Sequence, residues 1–353
     1  MNLSLRKLGF SLVAACMGFG ALELVARGLE AGMPAMPLRP LPAPGAADCM
    51  PDCMPGVAAM PEQPRGLPRG IPMVPHGRRA WALPPNTVMV ETNVAVRVNA
   101  LALRGPPIVS RAADELRVLT LGDSSVFGFG VAEENVFGQV AARALMAQLD
   151  RPVSAVNGGT PGYTSVQALD TLMDVGRQVD PTHVVIAVLW SDLFQTETPI
   201  ERGGGQRHPL ALYRVGTRLL APWLPAAKVG WTEGDVGAIG AGRSARVGLE
   251  RYRETLDRLV AQTRSLNAEP VVVILPAPID LDDVGPPSLI SLYRAELEAL
   301  AVRHDLVLVD GPAYFLENGA TNADFYDQVH PSTSGHGLLG SALYGALSGI
   351  NHR

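Results

Sequence analysis

From Leu116 onward, short apolar runs alternate with longer amphipathic ones. The runs Leu116–Leu121 (LRVLTL), Pro152–Val156 (PVSAV), His183–Leu189 (HVVIAVL), Pro270–Leu275 (PVVVIL) and Leu306–Val309 (LVLV) are β-branched and nearly continuous. A strand with one wet face alternates apolar and polar side chains, so runs without alternation predict strands buried on both faces. Between them, helical patterns cover Glu134–Leu149, Ser165–Val179, Ala245–Asn267 and Ser288–His304, with a last helix from Ser334 to about Leu347. Strands alternating with helices predict an α/β fold: a three-layer α/β/α sandwich on a five-stranded parallel sheet, with ligands at the carboxyl ends of the strands. Asp192–Arg243 reads as a Gly-rich insertion, and Thr87–Gly105 precedes the first strand.

The N-terminus has a different pattern. Arg6 and Lys7 precede an apolar run from Leu8 to Ala26 in which Glu23 is the only charge. At about 1.5 Å per residue this run reaches roughly 28 Å, close to one bilayer core. Residues 1–30 are therefore expected to be an uncleaved signal anchor, a transmembrane helix whose basic flank keeps the N-terminus in the cytoplasm and the bulk of the chain outside. The alternative is a cleaved signal, with Val13-Ala14-Ala15-Cys16 loosely suiting lipoprotein processing.

Composition redraws the domain boundary. Of 30 prolines, 14 lie between Met33 and Asn86, as do 6 of the 11 methionines, too many fixed φ angles and too few large apolar residues for a packed unit. Residues 31–86 are expected to be a disordered linker, leaving one globular domain over 87–353 with the insertion at about 192–243. Within the linker, Asp48-Cys49-Met50-Pro51 is repeated as Asp52-Cys53-Met54-Pro55. Its sulfur ligands suit Cu(I); the plainer reading is a duplication whose cysteines pair in an oxidising compartment. With 29 basic against 34 acidic residues, no excess of positive charge is present to neutralise a phosphate backbone, so nucleic acid is not an expected partner. No H-E-x-x-H, paired C-x-x-C or Asp-rich calcium loop occurs, and neither metal nor other cofactor is implied.

Two short motifs carry chemistry. Leu121-Gly122-Asp123-Ser124-Ser125 puts a serine at the carboxyl end of the first strand, on the turn into a helix. The G-x-S-x-G elbow of α/β-hydrolases is missing. In Asp327-Gln328-Val329-His330-Pro331, an Asp three residues before a His can receive the Nδ1 proton and leave Nε2 free to take a proton from a serine. His336, at the start of the last helix, and His183, opening a strand, read as packing residues. Asn157 reads as a residue that holds its own loop by hydrogen bonds.

Taken together, GDSS at Gly122–Ser125, NGGTPGYTS at Asn157–Ser165, Trp190-Ser191-Asp192 and DQVHP at Asp327–Pro331 resemble, in order and spacing, the blocks of the SGNH hydrolases, or GDSL esterases. The resemblance spans roughly Asn99–Leu347 and is nearest to bacterial membrane-anchored members, which have an N-x-x-x-x-R-G stretch like Asn99–Gly105. It implies a flavodoxin-like sandwich with Ser124 as nucleophile, His330 as base and then acid, and Asp327 as its orienting group. It also implies an oxyanion hole from the N–H groups of Ser124 and Gly162. Where the family has an Asn that completes this hole, the chain has Ser191, a shorter donor. The expected function is a serine esterase working through an acyl-enzyme on carboxylic esters, such as O-acetyl groups of envelope glycans, with lipid esters next, on the outer side of a bacterial inner membrane. An O-acyltransferase using the same residues, or an envelope-binding protein on a degenerate scaffold, are the alternatives. The residues that bind the rest of the substrate are not legible.

Overall fold

The computed structural model describes residues 71–193, 195–196, 244–282, 286 and 288–350, together with Leu22 and Val25. All of the expected anchor but Leu22 and Val25, most of the linker with its Cys49 and Cys53 repeat, and nearly all of the insertion lie outside the described residues. Among the described residues, no helix is long and apolar enough to cross a membrane.

In chain order the elements are β1 (Val74–His76), β2 (Ala80–Ala82), β3 (Thr87–Glu91), β4 (Val94–Val98), β5 (Leu116–Gly122), α1 (Ser124–Phe127), α2 (Phe137–Leu149), β6 (Val153–Asn157), α3 (Ser165–Val179), β7 (His183–Ala187) and α4 (Trp190–Leu193). They continue with β8 (Gln195–Thr196), β9 (Ser244–Ala245), α5 (Leu249–Ser265), β10 (Glu269–Ile274), α6 (Ser288–His304), β11 (Val307–Asp310), α7 (Gly311–Glu317) and α8 (Thr333–Ile350).

The central sheet is five-stranded and parallel, in the order β11-β10-β7-β5-β6. Every residue of β5 and β7 is buried, as the unbroken apolar runs require, whereas the edge strands β6 and β11 are only partly covered. Helices α2, α7 and α8 pack together on one side, and α3, α5 and α6 on the other. Parallel neighbours need crossover connections, and these helices supply them while burying both faces of the sheet. The strand order reverses beside β5, between β6 and β7, so the carboxyl ends of β5 and β7 border the crevice where open α/β sheets bind ligands.

Several boundaries differ from expectation: the helix expected from Glu134 begins at Phe137, after a 3-10 turn at Glu133–Asn135 and an extended Val136. The helix expected from Ala245 begins at Leu249, because Ser244–Ala245 pairs with Gln195–Thr196 and Gly248 takes an extended conformation as N-cap. The linker reading is corrected for residues 71–86. Here β1 and β2 form an antiparallel hairpin, and Met73, Ala82 and Leu83 are buried with Met89, Val96, Val98 and Phe127. Pro75 sits in a strand of this two-stranded hairpin, a place where a missing N–H is tolerated. The hairpin β3–β4 is stitched to the central sheet through Arg104, which bridges Val98 on one side and Asn157 on the other.

Candidate active site

The turn out of β5 is set by Asp123. Its side chain caps α1 by accepting the Ser125 N–H at 2.9 Å through Oδ1, and Oδ2 accepts the Ser191 N–H at 3.0 Å. One buried carboxylate thus ties the ends of β5 and β7 together. Burial pushes its pKa up, against the amides of Ser125 and Ser191 and the charge of His330, which work downward.

Ser124 opens α1, and its Oγ lies 2.7 Å from Nε2 of His330. Nδ1 of His330 lies 2.6 Å from Oδ2 of Asp327, while the other carboxylate oxygen accepts the N–H groups of Val329 and His330, each at 2.9 Å. Burial works to lower the His330 pKa, but the charge and hydrogen bond of Asp327, helped by Asp123 and Glu91, outweigh it and leave the imidazole above its ordinary value. Burial opposes ionisation of Asp327, yet His330 and the two amides hold its carboxyl below the usual range. A carboxylate on Nδ1 leaves Nε2 as the proton acceptor facing a serine hydroxyl, which is what a general base for nucleophilic attack requires. The two ends of this chain of groups are locked to each other: Ser125 Oγ donates to the Val329 carbonyl at 2.8 Å.

Asn157 acts as expected, within its own loop. Its Nδ2 donates to the carbonyls of Val126 and Phe127, each at 3.1 Å, and its Oδ1 accepts the Gly159 N–H at 2.9 Å. The loop crosses α1 so closely that a Cβ on Gly159 would stand 2.3 Å from the Phe127 nitrogen, a space only glycine leaves open. Further along, Gly162 has φ +77°, and its carbonyl accepts from Arg246 at 3.0 Å. Asp192 holds the start of α3 by accepting from both the N–H and the hydroxyl of Ser165; burial pushes its pKa to about 7 despite those bonds and the charge of Arg246. Ser191 is fully buried at the start of α4. Its Oγ lies beside the Asp123 carboxylate and lowers that group's pKa, yet among the described residues it has no partner in hydrogen-bonding geometry.

His336 and His183 stand apart from this cluster. His336 Nδ1 accepts the Phe137 N–H at 3.2 Å and its ring stacks on Phe137; burial takes its pKa to about 3. His183 opens β7 beside the Thr182 hydroxyl, and burial takes its pKa to about 4. Among the described residues, no group of three or more His, Cys, Asp or Glu is placed to hold a metal ion.

Residues 120–338, more than half of the chain, match the GDSL-like lipase/acylhydrolase family. The chain belongs to this family. It is an acylhydrolase acting on ester bonds. No curated protein matches it. Among solved structures, it is similar to LAE5, an α/β hydrolase from the metagenome of Lake Arreo, Spain, at 18% identity over 68% of this chain and 97% of that one, with a TM-score of 0.44. It is similar to a lipase/acylhydrolase from Enterococcus faecalis at 17% identity, over 67% of this chain and 96% of that one, with a TM-score of 0.45. It is also similar to a catalytic mutant of Axe2, an acetylxylan esterase from Geobacillus stearothermophilus, at 20% identity over 66% and 94% of the two chains, with a TM-score of 0.43.

The arrangement around Ser124 and His330 also draws on residues that the sequence did not disclose. Trp81, from β2, donates its Nε1–H to the Pro161 carbonyl at 3.3 Å, and its ring lies 3.5 Å from where a Cβ on Gly162 would stand. Arg104 gives hydrogen bonds to the carbonyls of Phe127, Gly128 and Val131, Glu91 accepts the Gly130 N–H, and Phe129 faces the His330 ring. The N-x-x-x-x-R-G stretch was a signal for Arg104 alone.

Proposed function

We propose that this acylhydrolase is a serine esterase of the cell envelope in which Ser124, His330 and Asp327 form the catalytic triad. The observation that carries this reading is the unbroken chain of contacts from Ser124 Oγ through His330 to Asp327, at 2.7 and 2.6 Å. In the first half-reaction, Ser124 Oγ attacks the ester carbonyl carbon while His330 Nε2 takes the hydroxyl proton. Collapse of the tetrahedral intermediate breaks the bond to the alcohol oxygen, which leaves with the proton held by His330. Water, deprotonated by the same nitrogen, then attacks the acyl-enzyme and releases the acid and free Ser124.

The tetrahedral oxyanion needs donors that nothing else has claimed. Among the described residues, the N–H groups of Ser124 and Gly162 donate to no backbone carbonyl in a turn or loop, which supports them as the two main donors. Ser191 Oγ, buried beside the Asp123 carboxylate but, among the described residues, without a partner in hydrogen-bonding geometry, is the third. Ser191→Ala is accordingly expected to lower kcat by up to about 10²-fold with little change in KM. Steady-state kinetics on a short-chain p-nitrophenyl ester check this, and an unchanged kcat removes Ser191 from the hole.

The apolar run after Arg6 and Lys7 supports a single-pass anchor, with the Pro/Met-rich segment upstream of residue 71 as a spacer and the enzyme on the outer face of a bacterial inner membrane. That placement favours esters of the envelope, O-acetylated glycans first. The test combines two measurements on the purified full-length protein. A fluorophosphonate probe is expected to label it at Ser124, and acetate release is expected from acetylated envelope polysaccharide. Absence of labelling sinks the triad; labelling with acetate moved to a sugar acceptor instead of water makes the protein an acyltransferase.

A further inference from the structure

The family match begins at residue 120, yet two charged residues upstream of it reach the loop that follows the nucleophile. That loop is Gly128-Phe129-Gly130-Val131. Gly128 and Gly130 have φ of +84° and +71°, so the chain turns on both sides of Phe129 through a conformation that favours glycine. Buried Arg104 gives hydrogen bonds to three carbonyls around the turn: Phe127 at 2.6 Å, Gly128 at 2.8 Å and Val131 at 2.5 Å. Glu91, 2% exposed at the end of β3, accepts the Gly130 N–H at 2.7 Å through Oε2. On its other side Gly130 is pinned by Tyr326, whose hydroxyl donates to the Gly130 carbonyl at 3.1 Å. A Cβ on Gly130 would stand 3.1 Å from the Tyr326 ring. The backbone N–H of Tyr326 in turn donates to the His330 carbonyl at 2.8 Å.

The outcome of this bracing is the place of Phe129. Its ring centroid lies 4.9 Å from that of His330 with the planes 30° apart, so it backs the imidazole while Asp327 and Ser124 hold the two nitrogens. Nδ1 and Nε2 fix the ring within its own plane; a wall is what stops it from rocking out of that plane. Burying a carboxylate whose hydrogen-bond partners are one amide and the Thr92 hydroxyl is costly unless the bonds serve the fold or the site. Here the bonded amide belongs to the residue next to that wall.

We propose that Glu91 is a positioning residue for the imidazole of His330, acting through the Gly130 amide and the Phe129 ring. The inference rests on Ser124 and His330 being the reacting pair. Glu91 meets the Thr92 hydroxyl, the Gly130 amide and the charges of Arg104 and His330, while His330 faces Asp327, Asp123 and Glu91, with His336 also in electrostatic range. Glu91 therefore acts on the base in two ways: it places the wall, and its negative charge favours the protonated imidazole.

The test is a double-mutant cycle on the full-length chain, with thermal melting as a check on folding. Glu91→Ala and Phe129→Leu are each expected to lower kcat by about 10- to 100-fold with KM nearly unchanged, and the double variant is expected to be no worse than the weaker single. Phe129→Tyr should restore most of kcat. Glu91→Gln keeps an acceptor for Gly130 and removes the charge, so it is expected to hold plateau kcat within about threefold while the acid limb of kcat/KM moves to lower pH. Additive losses, parental kcat in Phe129→Leu, or an acid limb that does not move in Glu91→Gln overturn the proposal; the last two decide it even if Glu91→Ala does not fold. Ser124→Ala run alongside separates the two readings. Activity left in that variant means the Ser124–His330 pair is wrong, whereas a dead control with an additive cycle removes Glu91 alone.

Discussion

Ser124→Ala is expected to lower kcat for ester hydrolysis by about 10⁶-fold and to abolish labelling by a fluorophosphonate, with the melting temperature close to that of the parent. Alanine removes the hydroxyl that faces His330 Nε2 at 2.7 Å. Its neighbour is no substitute, because the Ser125 hydroxyl is spent on the Val329 carbonyl. The melting temperature should hold because Asp123, Ser125 and Asn157 fix the turn without the Ser124 side chain. Single-turnover kinetics with a p-nitrophenyl ester measure the loss. A residual rate within about tenfold of the parent means that another group is the nucleophile.

The second large effect is expected from Asp327→Asn, and its direction follows from the carboxylate's two oxygens. Oδ1 is held by the N–H groups of Val329 and His330. An asparagine must offer its carbonyl oxygen to those donors, which turns its NH₂ toward His330 Nδ1. Nδ1 then becomes an acceptor, and the neutral imidazole carries its proton on Nε2, pointing at Ser124 as a donor. The base is lost through the wrong tautomer, at a cost on the order of 10⁴-fold in kcat. The pH profile gives an independent reading. Burial alone would lower the pKa of His330, and the charge of Asp327 is the largest influence that reverses this. In the parent the base must be neutral to act, so kcat/KM is expected to fall as pH drops through a value above the ordinary imidazole pKa of about 6.5. In Asp327→Asn the protonated imidazole loses its main support, and the limb is expected at lower pH. An unmoved limb means that the titrating group is not His330.

Much of this was visible before any coordinates, and for a physical reason. Strands such as Val118–Leu121 and Val184–Ala187 are covered on both faces, so burial alone writes an unbroken apolar run into the chain. Ser124, Asp327 and His330, which the structure brings within hydrogen-bond reach of one another, stood out because they lie in short motifs beside tight turns. What stayed hidden acts over long separations and on backbone atoms, which accept any residue type: Arg104 and Glu91 bond carbonyls and an amide far along the chain, and no local pattern records that. Trp81 was obscured differently. Pro72, Pro75, Pro84 and Pro85 give its hairpin the composition of the linker before it, while three-dimensional packing gives Met73 and Leu83 a place in a small core.

That hairpin bears on how load passes through the protein. The Trp81 carbonyl accepts the Tyr163 hydroxyl, the Arg79 carbonyl accepts from Gln167, and the indole N–H holds Pro161, so β2 is fastened to both sides of Gly162. Residues upstream of Ile71 connect to the folded unit through β1, which is zipped to β2 residue by residue from Val74–Ala82 to His76–Ala80. A pull on the upstream chain is therefore met by the packing of Ile71 and Met73 in the small core and by this short zipper, which is bonded to the loop around Gly162. Tension along the chain and the shape of the loop around Gly162 are mechanically coupled through β2.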